Sequence, residues 1–254
     1  MDLGLAGKAF IVTGGTRGLG LATARALVDE GACVLVVGRE PTTAQAAAEQ
    51  LGGSATWLAG DLSDASLPDS ATQACIAAFG CVDGALVSVG GPPPGSVLTT
   101  SDAAWESAFA SVFLGSVRMM RTAVEAVSTT AGHGSIAVVL STSAQELAGG
   151  LSASNGLRPG LAMLVKDLAD EVGHLGIRVN GLLPGRIATD RLLGLEQATG
   201  DPEQARAASV AEIPLGRHGD PGEFGRVAAF VLSPAASYVT GTLIRVDGGL
   251  TRSP

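Results

Sequence analysis

The sequence predicts a doubly wound α/β fold: one domain over residues 1–254, built on a seven-stranded parallel sheet with helices on both faces. Three observations predict it. Short apolar runs recur along the whole chain with helical stretches between them. The runs are continuous rather than alternating, as strands buried on both faces are. No low-complexity linker or change of composition divides the 254 residues, so a single domain is expected. Apolar residues make up 46% of the chain and charged ones 16%, with 36 glycines and few aromatics. The core must therefore consist largely of Ala, Val, Leu and Ile, which suits helices packed closely on a sheet with right-handed crossovers.

The first run, Ala9 to Thr13, breaks into the loop Gly14-Gly15-Thr16-Arg17-Gly18-Leu19-Gly20 and resumes with helix formers. Glycines at 14, 18 and 20 let the backbone turn tightly and approach a ligand, while the helix start offers free N–H groups and a positive dipole end to a phosphate. That is a dinucleotide-binding pattern of Rossmann type. The second run, Ala32 to Val37, ends at Gly38-Arg39, where a site selective for NAD would place a carboxylate on the ribose hydroxyl. Arg39 and Arg17 can instead fork a 2′-phosphate, which favours NADP(H) over NAD(H); the bland alternative is a solvated Arg39. The third run, Ala55 to Ala59, leads to Asp61 and Leu62. Asp61 suits either the adenine amino group or the cap of the following helix.

The fourth run, Ala85 to Val89, leads into Gly90-Gly91-Pro92-Pro93-Pro94-Gly95, whose prolines should stiffen one wall of a cleft. Trp105, Ala108, Val112, Met119 and Val124 recur near helical spacing and predict one long helix between residues 101 and 127. The fifth run, Ser135 to Ser141, the sixth, Ile177 to Leu183, and the seventh, Leu243 to Val246, complete the sheet. Ligands bind beyond the carboxyl ends of such strands, so the loops after the first, fourth, fifth and sixth should meet in one cleft.

A formal net charge of −8, with no basic run, excludes nucleic acid and anionic membrane surfaces as expected partners. No run approaches the roughly 20 apolar residues of a membrane span. Met1 to Gly4 lacks the basic start of a secretion signal, so a cytoplasmic protein is expected. Cys33, Cys75 and Cys81 lack metal-ligand spacing and read as small buried hydrophobes. His133, His174 and His218 are scattered and read as solvated turn residues.

Thr13-Gly14-x-x-x-Gly18-x-Gly20, Asp61, Asn180, Pro184-Gly185 and Asp247-Gly248-Gly249 together resemble the short-chain dehydrogenase/reductase family, and bacterial 3-oxoacyl-carrier-protein reductases within it. The resemblance implies that the glycine loop holds the pyrophosphate and that Ile187 and Thr189, after Pro184-Gly185, hold the nicotinamide. It also implies a homodimer or homotetramer, and a substrate lid at 190–218. In that family a Ser, a Tyr thirteen residues later, a Lys four beyond, and an Asn on the long helix carry proton transfer. Ser141 matches the first. Counting back without gaps, the others fall on Ser154, Arg158 and Val112; a second register places Leu151 and Asn155 at the Tyr and Lys positions but needs three extra residues before Lys166. Neither supplies a phenol, and the single tyrosine, Tyr238, lies in a C-terminal segment.

Serine titrates far too high to replace a phenol unaided, and arginine keeps a donor for the nicotinamide ribose but is a poor acid. Ser141, Ser154 and Arg158 are therefore the candidate catalytic residues of an oxidoreductase acting on a small, apolar carbonyl or secondary alcohol with an atypical proton donor. The rival reading is a nucleotide-binding sensor or regulatory subunit without turnover. A third, dehydration or isomerisation, would need Glu146 as base. Val112, on the bland reading, makes its helix more regular. Pro159 predicts that the helix running to Glu171 starts late, near 155 to 158, or kinks there, leaving Ser154 as a cap or loop residue.

Overall fold

The computed structural model describes residues 2–253. Its strands are β1 (Ala9–Thr13), β2 (Cys33–Gly38), β3 (Ala55–Ala59), β4 (Gly84–Val87), β5 (Gly134–Val139), β6 (Ile177–Pro184) and β7 (Leu243–Val246). They form one sheet in the order β3-β2-β1-β4-β5-β6-β7, and every pairing is parallel. The chain winds outward from β1 to β3 and then crosses to β4. The reversal opens a crevice between the carboxyl ends of β1 and β4, the place where such sheets take ligands.

The helices are α1 (Gly18–Asp29), α2 (Pro41–Leu51), α3 (Leu67–Phe79), α4 (Asp102–Ala108), α5 (Gly115–Thr130), α6 (Ser152–Val172), α7 (Asp190–Gln197), α8 (Pro202–Ala211) and α9 (Pro221–Leu232). Two apolar cores lie on opposite faces of the sheet. Phe10, Val12, Val34 and Val36 pack with Leu27 of α1, Leu51 of α2 and Phe224 of α9. Ile11, Leu35 and Val138 pack with Cys75 of α3, Met119 of α5 and Leu161 of α6. The alternation within each strand is the period of two expected when both faces are buried.

Two helices depart from the reading of the sequence. The long helix at 101–127 is interrupted: α4 and α5 are joined by a π-helix, Phe109–Leu114. The Gly115 N–H accordingly bonds Ala110 O, five residues back. Val112 lies inside this π turn, 1% exposed, so it does not make the helix more regular. The extra residue per turn lets Gly115 press on the loop after β3, where an added Cβ would lie 2.2 Å from Leu62 O.

The second departure is α6, which begins at Ser152, earlier than 155 to 158, and runs to Val172 with Pro159 inside it. Tertiary packing overrides weak local propensity there. The Ser152 N–H and Oγ both donate to Gly95 O, at 3.1 and 2.8 Å, which pins the first turn. Asn155 brackets the incoming loop by donating from Nδ2 to Ala148 O and accepting from Ala148 N. Gly156 and Gly160 face Trp105 and Phe113 so closely that a Cβ would sit 3.1 and 2.9 Å from the rings. The residues that look poor for a helix are those that let it lie against α4 and the π turn.

Candidate active site

The glycine loop is built around close backbone approach. Gly14 (φ 58°) and Gly18 (φ 54°) occupy left-handed backbone, costly for residues with a Cβ. A Cβ at Gly20 would lie 2.2 Å from Gly14 O. Thr13 is fully buried, and its hydroxyl accepts from Ser88 N at 2.8 Å and donates to Ser88 O at 2.7 Å. It ties the loop to the end of β4 and does not face the crevice. Thr16 and Leu19 are partly exposed on the loop, and Arg17 is exposed at the N-cap of α1. Arg39 is exposed beyond the end of β2. Gly38 beneath it leaves room for Thr16: a Cβ would meet Thr16 Cγ2 at 2.2 Å.

These features fit a dinucleotide. The loop is shaped by glycines that no Cβ could replace, α1 starts from it, and Arg17 and Arg39 are exposed beyond β1 and β2. Around Gly90, beyond β4, an added Cβ would meet no atom within 4 Å, so that wall is open to a ligand. Asp61 accepts from Ser63 N and Oγ, both at 2.8 Å, closing a local turn; α3 starts later with Ser66 as its N-cap, so Asp61 is not the helix cap. Leu62 is 6% exposed and belongs to the core.

On the far side, Pro184 ends β6 and Gly185 touches Asp247, where a Cβ would lie 2.6 Å from Asp247 Cβ. Asp247 accepts from Gly249 N and Thr251 N, holding the C-terminal turn. Asn180 is fully buried and clamps the segment before β7, donating to Val239 O at 2.9 Å and accepting from Thr242 N. Ile187 is buried. Thr189 turns its methyl to the glycine loop, 3.5 Å from where a Gly18 Cβ would be.

The chemistry-bearing residues meet beyond β5. Ser141 accepts from Ser143 N at 3.1 Å, capping a 3₁₀ turn over Thr142–Ala144. Ser143 and Ser154, 4% and 7% exposed, share a hydroxyl–hydroxyl bond of 2.9 Å. Ser154 is thus the third residue of α6, neither its cap nor a loop residue. Arg158 lies one turn further along the same face, 4% exposed, and donates from Nη1 to Val139 O; its Nε has no hydrogen-bond partner. Burial, and then the charge of Arg191, lower its pKa to about 10. Lys166 pairs with Asp170 on the exposed side of α6, and Asn155, the Lys position of the gapped register, is a neutral amide spent on Ala148; the ungapped register places a cation, Arg158, one turn from Ser154.

Three other expectations change. Glu146 accepts from Arg252 N and Ser253 N at 2.7 and 2.6 Å. These bonds, that to Ser253 first, lower its carboxyl pKa; it holds the C-terminal segment and is a poor base. His218 is buried, with Ser209 Oγ 2.9 Å and Glu196 Oε1 3.5 Å from Nε2. His133 and His174 are exposed. Of the cysteines only Cys75 is fully buried, its thiol pushed up to about 12 chiefly by burial, and all three are free. Among the described residues no His, Cys, Asp and Glu cluster could hold a metal, and no helix is long and apolar enough to cross a membrane.

Arg191 is the site residue that sequence reasoning did not single out, whereas Ser143 stood with Thr142 and Ser154 as a candidate helper of Ser141. Arg191 sits in the first turn of α7, and its Nη2 donates to Pro92 O at 2.6 Å; its only signal was its place two residues beyond Thr189.

A family model described as enoyl-(acyl carrier protein) reductase matches residues 14–251. A Mycobacterium tuberculosis protein named an uncharacterized oxidoreductase is 33% identical over 247 residues, 96% of this chain and 92% of that one. The 3-oxoacyl-[acyl-carrier-protein] reductase of Escherichia coli is 32% identical over 248 residues, 96% of this chain and 97% of that one. L-sorbose reductase from Gluconobacter frateurii, solved with NADPH and L-sorbose, is 27% identical and superposes with a TM-score of 0.95 over 100% of both chains. With its sheet order, its glycine loop and these relatives in agreement, the chain belongs to the short-chain dehydrogenase/reductase family of oxidoreductases.

Proposed function

We propose that the protein is an NADP(H)-dependent oxidoreductase that interconverts a carbonyl and a secondary alcohol on a small molecule, with paired serines in place of the usual phenol. NADPH, when bound, supplies the hydride. Arg17 and Arg39 would hold its 2′-phosphate, the α1 N-terminus with Gly18, Leu19 and Gly20 its pyrophosphate, and Ile187 and Thr189 its nicotinamide end. NADPH in the solved L-sorbose reductase complex supports the same preference. Residues 1–254 read as one dinucleotide-binding domain, with 190–218 as substrate lid. The free cysteines fit a cytoplasmic protein, and exposed Phe109 and Met163 fit a homodimer or homotetramer formed by the long helices.

The observation that carries the reading is the 2.9 Å Ser143–Ser154 bond, buried one helical turn from Arg158. A substrate oxygen facing Ser154 receives its O–H proton, Ser154 recovers one from Ser143 and Ser143 one from water, which leaves as hydroxide, so no serine alkoxide has to persist. The guanidinium of Arg158, desolvated and fixed to Val139 O, stabilises negative charge on those oxygens more than it could in water. Ser141 fixes the turn that presents Ser143. Water must refill the chain, and a less acidic donor makes a slow enzyme: losing a positioned general acid costs about 10²- to 10⁴-fold.

The test is a fluorescence titration with NADPH and NADH, followed by a screen of ketones, 3-oxoacyl thioesters and quinones for oxidation of the bound dinucleotide. NADPH should bind more tightly than NADH, and at least one carbonyl class should oxidise it. Tight binding without oxidation across all three classes would instead indicate a nucleotide-binding protein without turnover.

A further inference from the structure

Three other arginines of this acidic chain have their charge answered. Arg217 pairs with Glu223 at 2.7 Å and Arg186 with Glu212 at 3.1 Å. Arg178, which is half-buried, donates to the carbonyls of Val231, Leu232, Ser233 and Val239. Arg158 is more deeply buried than Arg178 yet has one carbonyl, Val139 O, and an Nε with no partner. Arg191 has one as well, Pro92 O, and its guanidinium lies on Gly91, where an added Cβ would be 2.9 Å from Nε. Neither forms an ion pair with a described carboxylate. They are close enough for the charge of Arg191 to lower the pKa of Arg158.

Arg158 is bonded to the end of β5 and Arg191 to the loop beyond its neighbour β4; one buried and one exposed cation held on adjacent strand ends without a counter-ion repel one another, and an anion entering between them relieves that repulsion. The position of Arg191 separates that anion from the dinucleotide. Thr189 faces the glycine loop and Arg17 and Arg39 are exposed beyond β1 and β2, whereas Arg191 crosses from α7 to the loop after β4, which flanks the crevice beside the serines. We propose that Arg191, backed by Arg158, receives a carboxylate of the substrate, so that the preferred substrates are oxo acids or hydroxy acids and not neutral ketones. The assignment rests on the oxidoreductase reading and narrows its small-molecule substrate to one bearing a negative charge. Guanidinium suits this role because its planar fork matches a carboxylate.

The experiment is calorimetric titration of the full chain saturated with NADP⁺, using 4-oxocyclohexanecarboxylate, 4-oxopentanoate and 2-oxo-4-phenylbutanoate, each against its primary amide. At least one acid should bind about tenfold or more tightly than its amide, a difference of about 1.4 kcal/mol. R191M should abolish that preference and R191K retain part of it, while NADP⁺ affinity stays within about twofold. Equal binding of acids and amides, or no binding of any acid, overturns the proposal. So does a loss of NADP⁺ affinity in R191M with the acid preference intact, which would assign Arg191 to the dinucleotide's phosphates. Oxidation of NADPH is followed separately: acid preference without turnover would contradict the redox reading and leave the carboxylate receptor standing.

Discussion

Ser154 and Arg158 stand one helical turn apart, and each explains the other's environment. A buried serine beside a second serine is unremarkable in packing, and a buried arginine with a single carbonyl partner is unfavourable; together they make a hydroxyl pair biased by a fixed charge. Ser154→Ala should therefore lower turnover by about 10²-fold or more with NADPH affinity unchanged in a binding titration. Ser143→Ala should have a smaller effect of the same kind, because water can enter its place. Arg158→Met removes an uncompensated buried charge at similar volume, so thermal unfolding of the ligand-free protein should rise in Tm, by about 1 kcal/mol or more of stability, while NADPH binding weakens. A drop in Tm would show that the bond to Val139 O outweighs the desolvation of the cation. In the glycine loop, Gly20→Ala places a Cβ 2.2 Å from Gly14 O and should weaken NADPH binding at least tenfold, since the loop must move to relieve it.

At the scale of elements, the π turn at Phe109–Leu114 and the glycines of α6 are one packing solution. Gly115→Ala would drive a Cβ into Leu62 O and should cost about 1–3 kcal/mol in chemical denaturation. Neither feature was legible in the sequence. A π turn leaves the apolar stripe of Trp105, Ala108, Val112 and Met119 looking like an ordinary helix. Gly156, Pro159 and Gly160 read as helix breakers until their contacts with Trp105 and Phe113 are known. The internal contacts of the segment 190–218 were not legible either. Burial first, then the charges of Arg206 and Arg186, lower the pKa of His218, with Glu196 partly opposing them. The neutral imidazole is thus favoured in the folded protein. Its contribution is present above the unfolded value of about 6.5 and lost as pH falls below that toward the lower folded value. Tm measured from pH 7.5 to 5 should fall more in the wild type than in His218→Gln, and identical slopes would remove His218 from the coupling.

For the whole molecule, continuous apolar runs were enough to foresee seven parallel strands, because burial on both faces leaves a signature that polar insertions would break. The glycine loop was equally legible, since close backbone approach demands glycine. The substrate side was not. It depends on where α6 begins, which hydroxyl Ser154 meets, and how α7 carries Arg191 to the loop after β4, and all of these are set by tertiary contacts. Whether paired serines over a buried arginine sustain proton transfer is decided by single-turnover oxidation of bound NADPH by a carbonyl substrate in the wild type and in Ser154→Ala. Measurable oxidation is expected in the wild type and a rate at least about 10²-fold lower in the variant, with equal NADPH affinity. Equal rates in the two proteins, or no oxidation in the wild type with any carbonyl class, would contradict that role of the serines.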